Sequence, residues 1–199
     1  MVAALVEALD ALGIEAAARA PLARWLELLA EWNQRIDLTA ARTDAELGDL
    51  MLADAAMLAK HISPGARVVD VGAGAGAPGL ALALMRPDLE MTLVEPIAKR
   101  TSFLRTVVGT LKRHDVNILR DRGEAVATRT PRGFDVAISR ATLAPLEWVP
   151  LGLRLAPSVW ALLAREEPPV IAGARTEADV AYTWPATEAK RRAVLYTAT

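Results

Sequence analysis

The chain has 199 residues, 23 Lys and Arg against 24 Asp and Glu, two histidines far apart in sequence and no cysteine. Disulfides, thiolate nucleophiles and cysteine-bound zinc are therefore excluded, and no metal site is expected. The longest uncharged stretch, Val71 to Met85, contains glycines and a proline and makes no membrane span; the start, with Glu7, Asp10 and Glu15, lacks the basic and apolar blocks of a secretory signal, so a cytoplasmic protein is expected.

Residues 3–12 read as a short helix stopped at Gly13. From Pro21, "PLARWLELLAEWNQRI" spaces Leu22, Trp25, Leu26, Leu29, Trp32 and Ile36 by threes and fours, which predicts an amphipathic helix with proline in its first turn. "ARTDAELGDLMLADAAMLAKHI" predicts another, starting near Thr43 or Asp44 with Glu46 in the first turn. Residues 1–63 are thus expected to form an N-terminal helical extension packed on a core made by residues 64–199.

After Pro64-Gly65 short strand-like runs take over: "ARVVDV", "MTLVE", "VNILR", "FDVAIS" and "VWALLA". Helical patterning at 78–86, 98–111 and Leu146 to Leu155 separates several of them, an alternation that predicts an α/β fold with a doubly wound, mostly parallel sheet. "DVAYTW" and "RAVLYT" are expected as a closing hairpin, and "EEPPV" as a chain-directing turn.

The first run passes through Asp70 into Gly72, Gly74 and Gly76 and then into a helix. Such a turn lets backbone approach a nucleotide-like ligand. Gly72, Gly74 and Ala77 also satisfy the permissive dinucleotide fingerprint, so a nicotinamide cofactor stays open on the glycines alone. Asp70, at the strand tip, repels a pyrophosphate and favours the ammonium and sulfonium charges of S-adenosylmethionine. Glu95, ending the next run, suits the two hydroxyls of a ribose.

Several segments together resemble the GidB family (glucose-inhibited division protein B), whose members methylate a guanine N7 in 16S ribosomal RNA. "LELLAEWNQRIDLTA" is similar to the family's N-terminal helix and its exit; "VVDVGAGAGAPGLALALMRPDLEMTLVEPIAKRTSFLR" follows its cofactor region. "RDRGEAV", "FDVAISRA" and "AKRRAVLYT" resemble later family segments. The resemblance implies a class I, Rossmann-like S-adenosylmethionine-dependent methyltransferase, with donor contacts at Gly72, around Ala77, at Gly123, Glu124 and Arg140, and with Glu95 near the ribose. Departures fall at Asp37, Met51, Ala55 and Arg165, where the family has other residues.

Charge divides unevenly: residues 1–98 hold 7 basic against 14 acidic side chains, and residues 99–140 hold 10 against 4. Lys99, Arg100, Arg105, Lys112 and Arg113 lie on or just beyond one predicted helix and are candidate phosphate contacts for ribosomal RNA or the small ribosomal subunit. Guanine N7 is an acceptor that needs no deprotonation, so the scarcity of histidine is compatible with the reaction; Arg140 is the candidate catalytic residue, orienting the donor or holding guanine O6. A monomer is expected. A methyltransferase of the same fold acting on a small molecule or protein, and a donor-binding module without turnover, are the alternatives.

Overall fold

The computed structural model describes residues 2–164 and 166–199; the departure at Arg165 lies outside the described residues. Helix α1 (Val2–Ala11) is followed by α2 (Ala16–Asn33). Helix α2 begins five residues before Pro21, which therefore sits inside it rather than in its first turn. Anchoring overrides the local cost of the proline: Ala18, Leu22, Trp25, Leu26 and Leu29 are all buried on one face.

The next helical stretch comprises α3 (Asp44–Gly48), a π-helical turn (Asp49–Ala53) and α4 (Asp54–Leu58). Its start has a reciprocal cap. The Glu46 N–H donates to Thr43 Oγ1 at 3.1 Å, and the Glu46 carboxylate accepts from the Arg42 N–H at 2.8 Å.

The core alternates β1 (Arg67–Val71), α5 (Gly79–Met85), β2 (Glu90–Val94), α6 (Ala98–Thr110), β3 (Asn117–Leu119), α7 (Gly123–Arg129), β4 (Val136–Arg140), α8 (Pro145–Leu155) and β5 (Ser158–Leu163). A hairpin of β6 (Ala174–Thr183) and β7 (Lys190–Ala198) closes it. Sheet order is β3-β2-β1-β4-β5-β7-β6. β1 to β5 pair in parallel, and β7 runs antiparallel to both β5 and β6. This is the expected doubly wound sheet; helix α7, between β3 and β4, was not foreseen.

Each buried strand feeds two layers because successive side chains point to opposite faces. Val68 joins a core with Leu22, Trp25, Leu80, Phe103 and Trp160, made by the N-terminal helices, α5 and α6. Val69 and Val71 join Val126, Trp148, Leu155 and Tyr196 on the face covered by α7 and α8. The N-terminal helices thus share one hydrophobic core with the sheet. Among the described residues no helix is long and apolar enough to cross a membrane.

Candidate functional site

Parallel strands deliver their carboxyl ends to one edge, and the reversal of strand order between β1 and β4 opens a crevice there. β1 leaves the sheet at Gly72, whose φ of +78° is a left-handed conformation that glycine adopts without strain. A Cβ at Gly72 would lie 2.0 Å from Thr142 Oγ1, so a side chain there has neither the conformation nor the room. Gly72 and Ala73 donate their N–H groups to Val94 O at 2.8 and 3.1 Å, tying the turn to the end of β2.

Glu95 follows Val94 directly. Its side chain is 1% exposed, with Oε2 accepting from the Gly74 N–H at 2.9 Å and Oε1 from the Ile97 N–H at 2.8 Å. Each oxygen retains a lone pair for a hydroxyl donor. The glycine turn, Glu95 and Arg140 line one cleft of about 590 Å³, within the range of small-molecule sites. Exposed main chain, a buried acceptor and this volume fit an adenosyl group.

The N-terminal extension supplies the opposite wall through Leu38, Thr39, Ala40, Leu50 and Met51. Asn33, at the end of α2, fixes that wall: its Oδ1 accepts from the Leu38 N–H at 2.8 Å and from the Thr39 N–H at 3.1 Å. Sequence reasoning treated this segment only as a helix exit. An amide followed five and six residues later by "LT" was the available signal.

Arg140 ends β4 and lines the cleft. Its Nη1 donates to Leu50 O, a carbonyl in the π-helical turn, and to Asp54 Oδ2 at 3.0 Å. Asp54 is 3% exposed and also accepts from Tyr182 OH at 2.7 Å and Trp184 Nε1 at 2.9 Å through Oδ1. Burial and the Asp54 carboxylate hold the Tyr182 phenol protonated, far above its usual range. This hub joins helix, sheet and hairpin, and only its arginine was singled out from sequence.

Four residues expected at the donor are not among those lining this cleft. Asp70 is fully buried beneath the turn, accepting from the Gly79 N–H at 2.8 Å through Oδ2, and does not line the cleft. Burial pushes its carboxyl up to about 7, against the lowering effect of that hydrogen bond. Gly76 faces the N-terminal extension: a Cβ there would meet Leu80 at 2.8 Å and Trp25 at 3.1 Å, and Trp25 Nε1 donates to the neighbouring Ala75 O. Gly123 packs against Val71, where a Cβ would lie 2.7 Å from the valine side chain, and Glu124 is exposed in the first turn of α7. Ala77 does line the cleft.

The basic set also divides. Lys99, Arg105 and Lys112 are exposed. Arg100 instead lines the cleft, with its Nε buried and lacking a hydrogen-bond partner. Arg113 is a structural clamp, pairing with Asp115 at 2.7 Å and donating to Ala83 O. Of the remaining departures, Met51 lines the cleft, Ala55 is fully buried and Asp37 is exposed. Among the described residues no group of three His, Cys, Asp or Glu could hold a metal ion.

The profile of the GidB family, described as rRNA small subunit methyltransferase G, matches residues 19–155. A protein named ribosomal RNA small subunit methyltransferase G from Anaeromyxobacter dehalogenans (strain 2CP-C) is 38% identical over 170 residues, spanning 81% of this chain and 76% of the relative. The namesake from Chromobacterium violaceum is 40% identical over 130 residues, 65% of this chain and 61% of that protein. Among solved structures, a mutant of MtNAS in complex with S-adenosylmethionine superposes with a TM-score of 0.59 at 16% identity, over 92% of this chain and 76% of that one. TrmN from Thermus thermophilus gives 0.56 at 18% identity, over 73% and 47%. These two likenesses bear on the fold.

Proposed function

Because this chain belongs to the GidB family, rRNA small subunit methyltransferase G, we infer that its cleft at the carboxyl edge of the sheet is the donor site for methylation of a guanine N7 in 16S ribosomal RNA. The protein is an S-adenosylmethionine-dependent methyltransferase. When bound, S-adenosylmethionine supplies a methyl group made electrophilic by its positive sulfur.

The chain's own part is placement and charge. Glu95 accepts the ribose hydroxyls from the floor of the cleft, where its two backbone bonds keep the carboxylate oriented. Gly72 and Gly74 allow the ligand against the main chain, and Leu38 to Ala40 close over it. Arg140, held by Asp54 and Leu50 O, stands at the edge of the cleft as a fixed hydrogen-bond donor that holds the acceptor guanine through its O6. No general base is required, because N7 attacks through its lone pair and loses no proton. With Asp70 beneath the turn, Glu95 is the carboxylate that faces the ligand.

Outside the cleft, Lys99, Arg105 and Lys112 meet RNA phosphates as exposed cations on and just beyond α6, Lys99 next to the cleft-lining Arg100. The observation that carries the reading is the meeting of Glu95, the Gly72–Gly74 backbone and Arg140 in one cleft of a chain in this family. Incubation with labelled donor and small ribosomal subunits lacking the modification tests it. Digestion of the RNA should yield labelled 7-methylguanosine; donor turnover without labelled RNA would overturn the assignment.

A further inference from the structure

We propose that a second hollow, sharing Leu50, Arg140 and Ala141 with the donor cleft, seats the guanine that receives the methyl group; this rests on the methyltransferase reading above. The hollow lies at the carboxyl ends of β4 and β5, where open α/β sheets receive ligands, and the closing hairpin completes it with Tyr182, Trp184 and Arg191. Its volume is about 210 Å³. That falls below the roughly 300–1,000 Å³ of sites for whole drug-sized ligands, so it takes a base and leaves sugar and phosphate outside.

The walls suit a planar ring. Leu162 and Leu163 contribute aliphatic surface and Tyr182 and Trp184 aromatic surface, the combination that receives unstacked bases. The guanidinium of Arg191 lies 3.9 Å from the centre of the Trp184 ring, adding a second cationic plane.

The polar groups select the base. Asp54 is the one acid among the lining residues, and its oxygens already accept from Tyr182, Trp184 and Arg140. Arg140 spends Nη1 on Leu50 O and Asp54; its Nη2 and Nε have no hydrogen-bond partner among the described residues. Its charged side chains therefore present donors, with the acceptors of Asp54 already taken. Guanine presents two acceptors, O6 and N7, on its major-groove edge, whereas adenine and cytosine present an amino donor there. Arginine donation to O6 holds the ring and leaves the N7 lone pair for the methyl group. Asp54 acts through Arg140 as a positioning residue.

The decisive variant is Leu162→Trp, which fills the hollow from a strand position absent from the donor cleft. Donor affinity measured by calorimetry should stay at the wild-type value, while methyl transfer to unmodified small subunits should fall by about 100-fold, the scale of a misplaced reactant. Arg191→Gln should raise KM for the subunit about tenfold with donor affinity unchanged. Ala164→Trp, at an exposed rim position, repeats the blockade if Leu162→Trp fails to fold. Folded blocking variants that transfer at the wild-type rate, or that lose donor binding together with transfer, overturn the base seat. Wild-type protein that labels no RNA overturns the functional reading itself and the seat with it.

Discussion

Two carboxylates that look equivalent in sequence, each at the tip of a strand, have opposite fates. Glu95 faces the cleft with both oxygens oriented by backbone N–H groups, so Glu95→Gln should weaken donor binding by roughly 10- to 100-fold in calorimetric titration, the range for hydrogen bonds to a charged group. Asp70 is sealed under the turn, and its consequence is a pH dependence of folding. Burial raises its carboxyl from 3.8 to about 7, so across that interval the folded chain binds more protons than the unfolded chain. Stability contributed at this position is intact below about pH 4 and is lost as pH rises through about 7. Asp70→Asn keeps an acceptor for the Gly79 N–H but does not titrate. Denaturant unfolding of both proteins at pH 4, 6 and 8 should show the wild type losing stability relative to the variant as pH rises; parallel profiles would contradict the burial argument.

At the scale of elements, the donor cleft depends on a strap that no strand or helix contains. Leu38 and Thr39, in the wall of the cleft, are held by one amide oxygen, so Asn33→Ala should lower donor affinity, while Asn33→Asp, which retains the acceptor, should restore it; equal affinities in the two variants would remove Asn33 from this role. The basic helix gives a second expectation. Neutralising exposed Lys99 and Arg105 with glutamine should reduce the slope of log affinity for ribosomal RNA against log salt by about one for each phosphate left without its cation. Arg113→Gln should disturb stability instead, because that guanidinium holds Ala83 O and Asp115.

The same elements show what the sequence disclosed. β1, β2, β4 and β5 announced themselves as apolar runs, because strands buried on both faces have little polar alternation, and the Thr43/Glu46 cap was visible as a pair three residues apart. The π-helical turn was not, since nothing in "DLMLA" marks a change from four-residue to five-residue bonding; within it the Leu50 carbonyl accepts from Arg140, a partner far along the chain. The surroundings of Gly76 and Asp70 stayed hidden for a related reason. Local pattern shows that a glycine or an acid sits at a turn, but whether its neighbour is a ligand, Trp25 or the next helix depends on residues far along the chain.

For the whole molecule, the shared core means that the N-terminal helices are structural parts of the enzyme. Trp25 is fully buried, touches the glycine turn through Ala75 O and sits in the same cluster as Val68 and Leu80. Trp25→Ala should cost about 3–5 kcal/mol in denaturant unfolding. Saturating donor should offset part of that loss, since a ligand bound only by the folded state at about 100 times its Kd adds about 2.7 kcal/mol. The contacts at Asp54 set an order of assembly. Asp54 meets Tyr182 and Trp184, 128 and 130 residues downstream, so a growing polypeptide carries this carboxylate long before its two ring-bearing partners exist. Until the β6–β7 hairpin has been made, Asp54 lacks Tyr182 and Trp184, and Arg140 has an incompletely anchored counterion.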